Sequence, residues 1–137
     1  MYPPELVAPM REELTMLGIK ELTTPMDVDT FMEESDEAAL LVINSVCGCS
    51  AGGARPAVGL ALLNEKKPKR LATVFAGQDT EATARVRELI SEYPPSSPMI
   101  ILLKNKKPVF ALERHQIEGH TAEQISVALS AAFNEHL

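Results

Sequence analysis

The sequence predicts an α/β fold: a central mixed four-stranded sheet flanked by helices, with two extra N-terminal helices ahead of it. Three observations carry that prediction. Apolar runs with β-branched residues alternate along the chain with segments whose apolar residues recur at helical spacing. The last two strand candidates are separated only by the polar turn Lys104-Asn105-Lys106-Lys107, as in a hairpin. No long linker, internal repeat or low-complexity block interrupts the 137 residues, which predicts one domain over 1–137 with residues 1–37 as a helical extension packed on its core.

Each element has its own justification. Leu6, Val7, Met10, Leu14 and Leu17 share one helical face that stops at Gly18, with Pro9 either kinking the helix or marking its start. Thr24-Pro25-Met26-Asp27 combines a capping hydroxyl, a proline at the first helical position and an early acid, and Val28, Phe31 and Met32 follow on one face. Ala38 to Val46 is a nearly continuous apolar run, the pattern of a central strand covered on both faces. Ala54, Val58, Ala61 and Leu62 then keep helical spacing up to Asn64, with Pro56 in an early turn. Leu71 to Phe75 is a second strand, and Gly77-Gln78-Asp79-Thr80 offers a turn and a cap for a helix carrying Ala82, Val86, Leu89 and Ile90. Pro94 to Pro98 breaks that helix, Met99 to Leu103 and Pro108 to Glu113 form the hairpin, and the capping box Thr121-Ala122-Glu123-Gln124 opens a closing helix with Ile125, Leu129, Ala132 and Phe133.

The net charge of −6 argues against a phosphate-backbone partner, and the lysine-rich pieces at 64–70 and 104–107 read as solvated turns. The amino terminus lacks a basic segment followed by a long apolar run, and AALLVI is too short to cross a bilayer, so a cytoplasmic protein is expected, with no membrane and no nucleic-acid partner. Thiols stay reduced in that compartment, and a chain of this length needs no disulfide staple. The two cysteines, Cys47 and Cys49, stand one glycine apart and must serve another purpose.

After the two leading helices, the order strand, helix, strand, helix, strand, strand, helix resembles the thioredoxin fold. Right-handed crossover makes the first two strands parallel, and a third strand running antiparallel, as the resemblance implies, would bring four distant pieces to one sheet edge: Cys47-Gly48-Cys49, Phe75-Ala76-Gly77, Ser97-Pro98 and Arg114 to Gly119. By that analogy the Ser97–Pro98 peptide is expected to be cis, exposing backbone groups to an extended substrate. A cysteine just before a helix feels unpaired N–H groups that favour its thiolate, while two neighbouring sulfurs cannot both ionise readily. The fold analogy makes Cys47 the attacking sulfur. Gly48 tolerates the backbone angles of a one-residue disulfide ring, whose strain favours disulfide exchange or isomerisation over bulk reduction.

Arg55, within about two turns of the cysteines, could favour a thiolate or meet a carboxylate on a small thiol ligand; the alternative is a surface arginine pairing with an acid. Glu118 could relay a proton on the same edge. His115 is the one histidine that the topology brings near the cysteines, while His120 and His136 are expected to face solvent. A reading of a different class is a metal carrier, with the two thiolates binding Cu(I) or forming half of a tetrahedral site; without a Cys-x-x-Cys partner pair no resident metal is expected.

The segments NSVCGCSAGGARPAV, FAGQDTEATARVRE, YPPSSP, ERHQIEGHTAEQI and PMREELTMLGIKELTT resemble the bacilliredoxin family of thioredoxin-like bacterial proteins, and the match covers nearly the whole chain. Ser50 and Gly53 stand where that family more often carries Ala and Asn. The resemblance implies a thiol–disulfide oxidoreductase that removes bacillithiol from S-bacillithiolated proteins, with weak disulfide-isomerase activity beside it. It implies that Cys47 attacks the mixed disulfide and takes up bacillithiol, and that Cys49 assists release or closes the internal disulfide. Bacillithiol is then a co-substrate, no bound cofactor is needed, and the partners are proteins carrying a mixed or internal disulfide.

Overall fold

The computed structural model describes residues 1–137. The elements are α1 (Pro4–Thr15), β1 (Lys20–Glu21), α2 (Pro25–Glu33), β2 (Ala39–Asn44), a π-helical turn (Ser50–Ala54), α3 (Arg55–Ala61), β3 (Arg70–Phe75), α4 (Thr80–Leu89), β4 (Met99–Lys104), β5 (Lys107–Leu112), α5 (Arg114–Ile117) and α6 (Ala122–His136).

The strands form one mixed sheet in the order β1-β3-β2-β4-β5. β2 and β3 are parallel, whereas β4 is antiparallel to both β2 and β5. The sheet has one strand more than the four expected: Lys20–Glu21 adds to its edge, parallel to β3. Two residues are too few for an apolar period to show. Alternate residues of β2 feed opposite faces: Leu40 and Val42 pack with Leu14, α3 and α6, while Leu41 and Ile43 pack with α2 and α4. Burial on both faces is why β2 reads as an unbroken apolar run.

Helix signals divide into those that act as written and those that do not. Thr24 and Thr121 both make reciprocal capping boxes, with Asp27 and Gln124. Ile125, Leu129, Ala132 and Phe133 are all buried, so α6 uses its expected stripe. α1 starts at Pro4 and runs through Pro9, and only Val7 and Leu14 of its apolar face are buried; Leu6 and Leu17 stay exposed. Asp79 caps nothing with its side chain, because its carboxylate is held by Arg11 at 2.8 and 3.1 Å. In the hairpin, Asn105 and Lys106 both take positive φ, the signature of a two-residue turn whose twist matches the strands.

Register fixes the site. Asn44 lies opposite Phe75, Ile43 opposite Met99, and Ile100 opposite Leu112. The ends of β2, β3 and β5 and the start of β4 therefore share one edge, and the four expected pieces meet there. The Ser97–Pro98 peptide is cis. No helix is long and apolar enough to cross a membrane.

Candidate active site

The cysteine turn is anchored from beneath by buried polar groups. Asn44 ends β2 with its side chain inside the protein: its amide donates to the Met10 carbonyl at 3.2 Å and its Oδ1 accepts from the Ser45 N–H at 2.9 Å. The same oxygen accepts from Ser50 Oγ at 3.1 Å and from Arg55 Nη1 at 2.9 Å. Arg55 Nη1 also donates to the Ser45 carbonyl at 2.8 Å and to Ser50 Oγ at 3.1 Å. One guanidinium thus ties the strand end to the helix start, satisfying groups that would be costly to bury unpaired.

Arg55 corrects the sequence reading. It is 3% exposed, and its Nε faces Glu13 of α1 at 3.3 Å. Its Nη1 is spent on the loop and its Nε is buried, so it is not a surface arginine, and the charge felt by the sulfurs has another source. That charge comes from Arg114, at the start of α5. Pattern reading placed Arg114 within a converging segment but had no way to single it out among charged neighbours.

Above this network the Cys47 N–H donates to Ser45 Oγ at 3.2 Å, and the Cys47 carbonyl accepts the N–H groups of Ser50 and Ala51 at 2.9 and 3.2 Å. Cys47 therefore stands at the mouth of the helix. Both cysteines are free and half-buried, with their sulfurs 2.6 Å apart. Either sulfur can donate to the other, and the hydrogen bond with Cys49 is the largest cause holding Cys47 below the usual thiol value. The Cys49 backbone N–H, 3.4 Å from the same sulfur, and the charge of Arg114 act in the same direction, against burial. Burial pushes Cys49 up, the hydrogen bond and charge of Cys47 push it further, and it reaches about 11; Glu118 adds to the rise while Arg114 opposes it. The two thiols are thus pushed in opposite directions, Cys47 down and Cys49 up.

Gly48 between them is exposed, a Cβ there would meet nothing within 4 Å, and its φ lies outside the left-handed region. The dithiol state makes no demand for glycine. Pro98 is buried at the start of β4, and its neighbour Ser97 shares a cavity with Cys47. Glu118 is near the sulfurs as expected: a carboxylate oxygen and both sulfurs lie within 4.8 Å of one another. Arg114 holds Glu118 through its Nε. His115 is exposed and stands outside that cluster, His120 is exposed with Nδ1 against the Glu118 carbonyl at 3.1 Å, and His136 is half-buried beside Glu135. Cys47, Cys49 and Glu118 are the residues that could hold a metal. Two thiolates sharing a tetrahedral zinc ion stand about 3.8 Å apart by simple geometry, so the sulfurs would first have to separate.

The chain fits the family model described as disulphide isomerase over residues 2–137. It is 50% identical over 135 residues to Bacilliredoxin BH1716 of Halalkalibacterium halodurans, covering 98% of this chain and 94% of that protein. The chain belongs to the bacilliredoxin family. A further member, a bacilliredoxin of Salinibacter ruber, is 52% identical over 137 residues, covering 98% of this chain and 81% of the relative. Among solved structures, oxidised thioredoxin from Plasmodium falciparum superposes with a TM-score of 0.57 at 16% identity, covering 84% of this chain and 98% of that one. Thioredoxin O2 from Arabidopsis thaliana gives 0.54 at 10% identity over 84% and 94% of the two chains. The fold is thioredoxin-like, and this bacilliredoxin-family chain is a thiol–disulfide oxidoreductase.

Proposed function

We propose that the protein removes a small-thiol adduct, bacillithiol, from cysteines of other cytoplasmic proteins. The observation that carries this is the unequal pair: Cys47 is held below the usual thiol value while Cys49, 2.6 Å away, is pushed up to about 11. The Cys47 thiolate attacks the sulfur of the adduct, a Cys47–bacillithiol disulfide forms, and the target cysteine leaves as a thiolate that takes a proton from solvent. Cys49, still a thiol, cannot compete in that first step. Its later deprotonation and attack on Cys47 release bacillithiol and close the internal disulfide, where Gly48 accommodates the small ring. Each step is an exchange of one disulfide for another, so no bound cofactor is required. Resetting the closed pair needs two electrons from an external dithiol or from two small thiols.

A second reading, disulfide isomerisation, is favoured by the same height of the Cys49 thiol. A slow resolving sulfur leaves the mixed disulfide on Cys47 standing, which gives a substrate protein time to exchange its own bonds.

The test presents one bacillithiolated protein to wild type, Cys47→Ala and Cys49→Ala, with adducts read by intact mass. Wild type should clear the target, Cys49→Ala should accumulate bacillithiol on Cys47, and Cys47→Ala should leave the target loaded. Equal transfer to Cys47→Ala would overturn the nucleophile. No transfer to any variant, with refolding of a scrambled disulfide protein intact, would move the assignment to isomerisation.

A further inference from the structure

Every arginine of the chain except Arg87 pairs with a carboxylate: Arg11 with Asp79 and Glu21, Arg55 with Glu13, Arg70 with Glu34, Arg85 with Asp29 and Glu88, and Arg114 with Glu118. The Nε atoms of Arg55 and Arg87 are both buried without a hydrogen-bond partner, and of the two only Arg87 has no carboxylate at ion-pair distance. A guanidinium with no carboxylate partner of its own keeps its charge available to an arriving anion. Arg87 lies on α4, and its side chain lines a cavity of about 390 Å3 whose wall also carries Cys47, Ser97, Tyr2 and Arg114. No aspartate or glutamate lines that cavity, so its two arginines are its only charged walls, in a chain of net charge −6. Its size falls within the range of about 300–1,000 Å3 typical of small-molecule sites. A neighbouring cavity shares Arg87, Ser97 and Arg114 and also contains Glu113 and Glu118; Glu118 pairs with Arg114 and comes within 4.8 Å of the Cys47 sulfur, so Arg87 is the one arginine of the Cys47 cavity without a carboxylate of its own.

We infer that this cavity is the subsite for the non-sulfur part of the adduct, and that Arg87, with Arg114, binds a carboxylate on it. The inference rests on the reading that Cys47 takes up a small thiol. When the Cys47 sulfur bonds to the thiol's sulfur, the rest of the thiol is delivered into the cavity that Cys47 lines. Arginine suits the task because its planar fork matches a carboxylate with two parallel hydrogen bonds, whereas a lysine would offer only a point charge. Arg87 is thereby a specificity residue: it selects which small thiol is removed and leaves the sulfur chemistry to Cys47.

One carrier protein is loaded in turn with 3-mercaptopropionate, 2-mercaptoethanol and cysteamine as mixed disulfides: an anionic, a neutral and a cationic adduct of similar size. Wild type should clear the anionic adduct about tenfold faster than the neutral one and the cationic one slowest. In Arg87→Gln the anionic-to-neutral ratio should fall toward unity, and in Arg87→Lys it should lie between. The ratio is read within each variant, so a general loss of folded protein cancels. If Arg87→Gln is inactive toward every adduct, a salt series on wild type decides, and a ratio unchanged between roughly 0.05 and 0.5 M salt overturns the inference. Equal wild-type rates on the three adducts also overturn it while leaving adduct removal standing. Wild type that clears none of them overturns the dethiolation reading and the inference together. An acceleration that follows an aspartate placed beside the carrier's cysteine, whatever the adduct, assigns Arg87 to the target protein and likewise overturns the inference.

Discussion

The Cys47 and Cys49 sulfurs lie 2.6 Å apart, and the hydrogen bond between them lowers the Cys47 thiol and raises that of Cys49. The hydrogen bond with Cys49 is the largest cause of the lowered Cys47 value, so removing it has a definite sign. Alkylation by iodoacetamide followed against pH should place the Cys47 midpoint below the ordinary 9.0 in wild type and move it upward in Cys49→Ala. In Cys47→Ala the Cys49 midpoint should fall from about 11 yet stay above 9.0, because burial is its leading cause and survives the substitution. A Cys49→Ala midpoint equal to that of wild type would show that Cys49 does not share its proton.

Arg114 and Glu118 tune the pair with opposite signs. Arg114 lowers both thiols and Glu118 raises Cys49, so Arg114→Gln should move both midpoints up, whereas Glu118→Gln should move Cys49 down. Both side chains are about half exposed, so the shifts should be small and should shrink at high salt. The same alkylation profiles, run at low and high ionic strength, give the check. A salt-independent response to Arg114→Gln would mean that the residue acts through backbone position and not through charge.

What was legible in the sequence follows from how local each cause is. Thr24 with Asp27, Thr121 with Gln124, and the apolar run of β2 all act through neighbours in the chain, and each stands where its pattern put it. The convergence of Cys47 with Ser97 and Arg114 was legible from strand order together with the resemblance to the thioredoxin fold, which supplied the antiparallel third strand. Side-chain direction was not. Arg55 and Arg114 look alike in sequence, yet Arg55 turns into the buried Asn44 network and Arg114 stands beside the sulfurs. Asn44 at the end of an apolar strand was the available sign that a buried cation would be wanted beneath the loop. Asp79 shows the same effect in reverse, a capping residue diverted by Arg11 from an element far away in sequence.

Arg55→Ala would leave Asn44 Oδ1, the Ser45 carbonyl and Ser50 Oγ without their shared donor inside the protein. Losing hydrogen bonds from a buried charged group costs about 3 kcal/mol, a large part of the roughly 5–15 kcal/mol that holds a domain together. Urea denaturation of the reduced protein should show a lower midpoint with an unchanged slope, and Arg55→Lys should recover part of the loss. Ser50→Ala removes a smaller share, about 1 kcal/mol. A neutral Arg55→Ala would mean that water replaces the guanidinium without penalty.

Gly48 and Gly53 flank the second cysteine and should respond in opposite ways. A Cβ at Gly48 meets nothing within 4 Å, so Gly48→Ala should change the stability of the dithiol protein by no more than about 0.5 kcal/mol. A Cβ at Gly53 would come 3.2 Å from Ile125 Cδ1 and 3.5 Å from Ile117 Cγ2, where the π-helical turn lies against α5 and α6. Cδ1 is the movable tip of its side chain, so Gly53→Ala should cost about 1 kcal/mol and not several. Ile125→Val deletes that tip and opens the space the new methyl needs. The double variant should therefore be less destabilised than the sum of the two single variants, a coupling that thermal or urea denaturation of the four proteins measures directly. Strict additivity would show that Gly53 is constrained by its backbone and not by Ile125.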